Sequence, residues 1–196
     1  MGGTKLDSAK IAVFGIGGSG CRIADHTSSL RADVDFFAID TDKESLASLQ
    51  VETIHLDCVI DSETKFIGRI ENTRKSILEK KPILTQIISR YDIIYLIAGM
   101  GGATGTGVSS TLPKLIKEQG KDCIAILSTP FAFEGKLRRW SSEQGLQGMQ
   151  KFVDMCHIVE CQNLIRIPSF QNYSFRTAFQ TIDRIMQLIL DGSLQY

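Results

Sequence analysis

Short apolar runs rich in β-branched residues alternate along the chain with longer stretches in which apolar residues recur every three or four positions. The short runs predict strands, and the longer stretches predict helices that bury one face. Their alternation is typical of an α/β fold, and it predicts a three-layer, doubly wound and mostly parallel sheet. The predicted strands are residues 10–14, 35–39, 53–56, 93–98, 124–128 and 157–160, and the predicted helices are residues 20–29, 43–49, 68–89, 108–119, 137–152 and 173–190.

The length of the chain favours one domain. Its 196 residues, of which 43% are apolar, are enough for a single sizeable core. We expect residues 1–9 to form an N-terminal tail and residues 10–196 to form the domain, which ends in the long helix 173–190. Few residues follow that helix, so no second domain is expected.

Composition excludes several classes of partner. The 22 acidic residues balance the 22 basic ones, so no overall field attracts nucleic acid or an anionic membrane. No apolar run reaches the roughly 20 residues of a membrane span. The five cysteines are odd in number and form no CxxC pair, which argues against disulfide frameworks and zinc sites and favours a reducing cytoplasm.

Residues 101–107 read Gly-Gly-Ala-Thr-Gly-Thr-Gly and lie between a buried-type strand and a helix. Glycines allow the backbone to approach an anion closely, the threonine hydroxyls add donors, and the following helix directs its N-terminal amides at the same point. The segment therefore predicts a phosphate-binding loop. A linker or tight turn is the alternative, but it fits poorly because no polar spacer separates the segment from the strand.

A second glycine loop, residues 15–20, follows the first predicted strand. Its spacing matches G-x-G-x-x-G, and Asp40 ends the next strand 20 residues later, as an NAD site requires. An NAD-binding Rossmann oxidoreductase is therefore one alternative. However, a dinucleotide-binding fold has no standing use for the second loop at residues 101–107.

Three segments resemble signatures of the tubulin/FtsZ superfamily. Residues 100–107 are similar to its GGGTGTG motif, with Ala103 in place of the third glycine. The first loop is similar to GVGGGGxN, with Ser19 replacing a glycine and Arg22 where asparagine is usual. Residues 126–139 resemble TxPFxFEGxxR, and the resemblance implies that Glu134 contacts a ribose and Arg138 contacts phosphates. From the residues alone, an i,i+4 ion pair between these two is the simpler interpretation.

Phe179 and Asp183 lie one turn apart on the last predicted helix and offer an aromatic ring and a carboxylate to a base. Guanine donates from N1 and N2 to such a carboxylate, whereas adenine presents an acceptor at N1. The family has similar residues at these positions, so the resemblance favours GTP over ATP. A core phenylalanine beside an exposed aspartate is the alternative.

The resemblance also has gaps. Residues 57–68 contain one glycine where the family has a third glycine-rich loop, so we expect no phosphate-dependent switch there. Cys161 stands where the family has an asparagine that contacts ribose, and Gln162 or Asn163 would have to replace it. The family's acidic hydrolytic loop and C-terminal activation domain would follow Gly192, and we expect this chain to lack both. Asp40 and Asp42 lie where a magnesium ion could bind, but surface carboxylates are commoner there than ligands.

The resemblance implies a Rossmann-like GTPase domain of tubulin/FtsZ type that binds GTP or GDP with Mg²⁺. It would serve a cytoskeleton or cell division, require self-association for hydrolysis, and be at most a weak GTPase as it stands. A non-hydrolysing adaptor that binds an FtsZ-like partner is a further alternative. No catalytic residue and no metal ligand is assigned. The predicted nucleotide-binding residues are Gly17, Gly18, Ser19, Gly20, Arg22, Gly101, Gly102, Ala103, Thr104, Gly105, Thr106, Gly107, Glu134, Arg138, Cys161, Phe179 and Asp183.

Overall fold

The structure is a computed structural model that describes residues 9–58, 65–168, 170 and 173–194. Within these residues, strands and helices alternate as the sequence predicts. The strands are β1 (Ile11–Ile16), β2 (Asp35–Asp40), β3 (Glu52–His55), β4 (Ile93–Gly99), β5 (Asp122–Thr129) and β6 (Met155–Glu160). The α-helices are α1 (Gly17–Ser28), α2 (Lys43–Ala47), α3 (Phe66–Glu79), α4 (Lys81–Ile88), α5 (Ala103–Ser109), α6 (Leu112–Glu118), α7 (Lys136–Met149), α8 (Cys161–Leu164) and α9 (Phe175–Ser193).

The described strands form one sheet in the order β3-β2-β1-β4-β5-β6, with every neighbouring pair parallel. The prediction of a doubly wound, mostly parallel sheet is therefore confirmed. The chain order reverses between β1 and β4, which lie side by side with Ile16 level with Ala98. Such a reversal leaves a crevice at the carboxyl ends of the two strands, and ligands of open α/β sheets bind there.

Both faces of the sheet are covered, because neighbouring residues of one strand point to opposite sides. Phe14 of β1 packs into a core with α4 and α6, whereas Val13 packs into a second core with α1 and α9. The last helix buries Ile182, Met186 and Leu190 in that second core. These two cores give the three-layer arrangement that the sequence predicts.

Several helix boundaries differ from the predicted ones. The stretch 68–89 is two helices, because Pro82 has no backbone N–H and its ring is tolerated only in a first turn, here that of α4. Pro113 similarly lies in the first turn of α6 and separates it from α5. The first helix begins at Gly17 rather than at residue 20, so it includes most of the glycine loop.

The predicted tail, residues 1–9, lies outside the described residues except for Ala9. All five cysteines are free thiols. Among the described helices, none combines the length and the apolar character that crossing a membrane would require.

Candidate functional site

The two glycine loops meet at the reversal point of the sheet. Helix α1 begins directly after β1, and α5 begins a few residues after the neighbouring strand β4. A Cβ atom placed on Gly17 would lie 3.5 Å from the backbone nitrogen of Gly105 and 3.7 Å from the Cβ of Thr104. The starts of α1 and α5 therefore lie so close that a single methyl group on Gly17 would fill the gap, and both point their N-terminal amides out of the carboxyl edge of the sheet.

Three of the predicted glycines are required by backbone packing. A Cβ on Gly20 would overlap the carbonyl oxygen of Ile97, and one on Gly105 would overlap that of Gly99. A Cβ on Gly107 would lie 2.8 Å from the Cβ of Thr73 on α3. Real Cβ atoms do not come this close to other heavy atoms, so these glycines hold α1 and α5 tightly against the strands and against α3.

Gly17 and Gly101 are required by conformation, with φ angles of 68° and 95° in the left-handed region. Gly101 is also confined by neighbours, because a Cβ there would lie 3.0 Å from the carbonyl oxygen of Arg138 and 3.1 Å from Pro130. The turn before α5 is thus fixed against the start of α7.

Gly18 and Gly102 differ from the others, because space beside them is open. A Cβ on Gly102 would meet no atom within 4 Å, and one on Gly18 would meet only a terminal nitrogen of Arg22, at 3.4 Å. Gly102 is the N-cap of α5 in an ordinary extended conformation. Ala103, which replaces a family glycine, is the first residue of α5 and is partly exposed. The open space at these first turns is where an anion would come closest to the backbone.

The two threonines of the 101–107 segment are already hydrogen-bonded. The buried Thr106 hydroxyl accepts from the backbone N–H of Gly101 at 2.9 Å and thereby closes the loop. The Thr104 hydroxyl lies 2.9 Å from that of Thr41, which follows β2. Thr41 was not among the predicted site residues, although its position at the carboxyl end of a central strand is a usable signal.

The carboxylates that follow β2 are used locally. Asp40 is buried and its Oδ1 accepts from the Thr41 backbone N–H at 2.7 Å. Asp42 caps α2, and hydrogen bonds from Ser45 hold the pKa of Asp42 below its usual value. Within the described part of the chain, no group of three or more His, Cys, Asp or Glu side chains could hold a metal ion.

On the other side of the crevice, Asp183 joins α9 to α1. One carboxylate oxygen accepts a hydrogen bond from the Ser19 hydroxyl, and the other accepts from Arg22 Nη2 at 2.8 Å. The Asp183 side chain is 20% exposed, whereas that of Arg22 is 61% exposed. This pairing is not evident from the sequence, in which the two residues are 161 positions apart.

Phe179 lies one turn before Asp183 in an aromatic cluster. Its ring packs edge-on against Phe131 at 5.6 Å between centroids and against Phe133 at 6.3 Å. Phe179 is 39% exposed, and Phe133 and the neighbouring Phe175 are more exposed still. The ring is therefore held from one side and remains accessible to a planar ligand.

Glu134 and Arg138 form the i,i+4 pair that the sequence allows. Glu134 Oε2 accepts from Arg138 Nη1 at 2.8 Å, and Oε1 accepts from the Phe131 backbone N–H at 2.8 Å. The Glu134 side chain is 10% exposed, whereas that of Arg138 is 49% exposed. Both side chains lie near the start of α7, beside the turn at Gly101.

Cys161 begins α8 at the end of β6 and is buried. Burial, together with the nearby carboxylates of Glu134 and Asp183, raises its pKa to about 12. Cys161 is thus a neutral thiol between two site carboxylates. Gln162 accepts from the Ala132 backbone N–H at 2.9 Å, and Asn163 donates to Glu160 at 2.6 Å, so both are engaged. The segment 57–68 lies partly outside the described residues, which resume at residue 65.

The comparisons with known proteins agree with this geometry. The Tubulin/FtsZ family, GTPase domain, matches residues 10–169. The cell division protein FtsZ of Buchnera aphidicola is 33% identical over 191 residues, which are 95% of this chain and 49% of that protein. This chain therefore spans about half the length of the curated relatives it matches.

Two solved structures share the fold. The FtsZ of M. jannaschii, solved as an empty dimer, has a TM-score of 0.83 at 22% identity and covers 97% of this chain and 56% of its own. CetZ2 from Haloferax volcanii, solved as a GTPγS-bound protofilament, has a TM-score of 0.76 at 20% identity and covers 94% and 58%. The oxidoreductase and adaptor alternatives find no support in these comparisons. The chain belongs to the Tubulin/FtsZ family and carries the GTPase domain of that family.

Proposed function

We propose that this domain binds GTP or GDP between the first turns of α1 and α5. The observation that carries the proposal is the close approach of Gly17 to Gly105, which sets two helix N-termini side by side while Gly18 and Gly102 leave open space. Unpaired amides and the helix dipole stabilise phosphate at such a point. Residues 17–20 and 101–107 would hold the phosphates.

The base and sugar would lie toward α9. Phe179 offers a ring that is supported from one side, and Asp183 offers a carboxylate that suits the donors at N1 and N2 of guanine. The part of the nucleotide between base and phosphates would lie near Glu134, Arg138 and Cys161. We assign ribose to Glu134 and phosphate to Arg138, in keeping with their roles elsewhere in the family.

We propose Mg²⁺ as the accompanying ion. A magnesium ion keeps several waters and is commonly held by one or two carboxylates together with substrate phosphates. Asp40 and Asp42 lie near the Thr41–Thr104 contact and are the carboxylates closest in sequence to that position. With nucleotide present, phosphate oxygens and water would supply most of the ligands, and the protein would supply one or two carboxylates.

We propose that a self-associated form of the protein is the active form. The relatives named above are a cell division protein and a protein solved as a protofilament. We infer head-to-tail self-association at the nucleotide face, with hydrolysis at the interface between subunits. The free thiols favour a reducing compartment such as the cytoplasm as its location.

The binding proposal is tested with a fluorescent GTP analogue and Mg²⁺, competed separately by GTP, ATP and NADH. We expect GTP to displace the analogue at least tenfold more effectively than ATP, because Asp183 matches only the guanine edge. Displacement by NADH alone would instead indicate a dinucleotide-binding site.

A matched pair of variants locates the site. Gly102→Leu fills open space at the N-cap of α5 in a conformation that leucine adopts freely, so we expect unchanged unfolding and at least a tenfold loss of GTP affinity. Gly192→Leu adds the same side chain to open space on α9 and serves as the control. Equal GTP affinity in the two variants would place the nucleotide elsewhere.

A further inference from the structure

Both oxygens of the Asp183 carboxylate are occupied before any ligand binds. Ser19 Oγ donates to Oδ1 and Arg22 Nη2 donates to Oδ2 at 2.8 Å. A base that donates from two adjacent positions needs these same oxygens. The charged Arg22 is the stronger competitor, because its guanidinium adds the attraction of a positive charge to the hydrogen bond, whereas the Ser19 hydroxyl is neutral.

Arg22 also reaches the end of α1 where phosphate would lie. Side chains of a helix tilt toward its N-terminus, so a residue in the second turn extends over the first. Accordingly, a terminal nitrogen of Arg22 lies 3.4 Å from the position that a Cβ of Gly18 would take. The same guanidinium therefore borders both the Asp183 carboxylate and the open amide end of the helix.

Among the described residues, Asp183 is the one hydrogen-bond partner of the Arg22 side chain. The arginine side chain is 61% exposed, and ion pairs that reach solvent contribute little to stability. Guanidinium binds phosphate as well as it binds carboxylate, because its planar fork suits both. A phosphate at the start of α1 would thus compete with Asp183 for Arg22 at small structural cost.

We propose that Arg22 exchanges Asp183 for nucleotide phosphate, so that phosphate binding frees the carboxylate to accept from the base. The inference rests on the proposed nucleotide site and adds a rule to it: base recognition in this chain depends on phosphate. Arg22 acts on the base through Asp183 and is a positioning residue. The ligand class that satisfies both ends is a guanine nucleoside diphosphate or triphosphate, and a nucleoside alone satisfies only one.

The test compares guanosine with GDP as competitors of the fluorescent GTP analogue, in the unmodified protein and in Arg22→Gln. We expect the variant to bind GDP about fivefold more weakly, because a charge contact to phosphate is lost. We expect it to bind guanosine about fivefold more tightly, because Asp183 is no longer paired with a cation. Shifts in opposite directions are the signature of exchange, and a merely structural role of Arg22 does not produce them.

Two further variants support the measurement. Arg90→Gln removes the same charge from an exposed position at the opposite end of the sheet, and it should leave both affinities unchanged. Arg22→Lys keeps the charge but loses the planar fork, and it should fall between the unmodified protein and Arg22→Gln. Thermal unfolding of each variant verifies that it is folded.

The other outcomes overturn the exchange in distinct ways. If Arg22→Gln binds GDP more weakly and guanosine with unchanged affinity, Arg22 is a phosphate ligand only. If the variant binds both more tightly, Arg22 only blocks the site. Unchanged affinities for both would leave the ion pair without a functional role. If GDP binds neither the unmodified protein nor Arg22→Gln, the proposed nucleotide site is wrong and the exchange is wrong with it. If GDP binds the unmodified protein, the nucleotide site stands and the measurement tests the exchange alone.

Discussion

The phosphate side of the candidate site, residues 17–20 and 101–107, is held by backbone contacts, whereas its base side is held by side chains. On the phosphate side, glycines bring α1 and α5 against β4 with no room for a methyl group. On the base side, Asp183 accepts hydrogen bonds from Ser19 and Arg22, and Phe179 packs against Phe131. Glu134 pairs separately with Arg138.

The two sides of the site therefore differ in how far they are preorganised for a ligand. Backbone packing leaves the phosphate side one conformation, so that side is preorganised. The charged side chains of the base side pair with one another in the structure, so a ligand that needs the same atoms competes with these pairs. Substitutions at the tightly packed Gly20, Gly105 and Gly107 should therefore cost stability, whereas substitutions on the base side should mainly alter affinity.

The largest effect is expected for Gly20→Ala. The new methyl group would overlap the carbonyl oxygen of Ile97, so α1 or β4 must shift, and we expect a loss of about 3 kcal/mol in the free energy of unfolding. Urea unfolding measures it. Gly192→Ala, where the methyl group meets nothing within 4 Å, is the control and should change stability by less than about 1 kcal/mol. Equal stability of the two variants would contradict a tightly packed phosphate side.

An intermediate effect is expected for Thr106→Val. The substitution keeps the shape of the side chain but removes the acceptor of the Gly101 N–H, which costs about 2 kcal/mol when the donor stays buried. Thr104→Val removes a hydroxyl from a partly exposed pair with Thr41 and should cost under about 1 kcal/mol. Thermal unfolding compares them, and a larger loss for Thr104→Val would show that the loop is closed from the β2 side instead.

The smallest effect on stability is expected for Arg138→Gln. Arg138 forms an i,i+4 ion pair with Glu134, and its side chain is half exposed. Loss of this pair should lower the free energy of unfolding by no more than about 0.5 kcal/mol. GTP affinity should nevertheless fall about tenfold, because a phosphate contact is lost. A clear loss of stability with unchanged affinity would make Arg138 a structural residue and would remove it from the site.

Much of the fold is legible in the sequence because a buried parallel strand needs an unbroken apolar run, and β1, β4 and β5 each have one. Helix starts are less legible. Glycine has low helix propensity, which predicts a start after Gly20, yet contacts with β4 override propensity and α1 begins at Gly17. The helix breaks at Pro82 and Pro113 are predictable, because proline is tolerated only in the first turn of a helix. Apolar periodicity alone continues across both prolines and therefore predicts one helix where the structure has two.

The candidate site divides in the same way. The positions of the glycine loops follow from motif and strand order together, because strands that end at the reversal point place their loops side by side. The partners of Asp183 do not follow, since they depend on how α9 crosses α1. The resemblance to the family gives Arg22 no role to inherit, because asparagine is usual there, so only its position in three dimensions pairs it with a carboxylate.

The contact between Gly107 and α3 has a mechanical consequence. With Thr73 and the Ile70 carbonyl both within about 3 Å of where a Cβ would sit, α5 cannot slide or rotate without pushing α3. Helix α5, whose first turn borders the proposed phosphate site, is thus packed without free space onto α3. We expect any shift of that turn to be passed on to α3, on the flank of the domain.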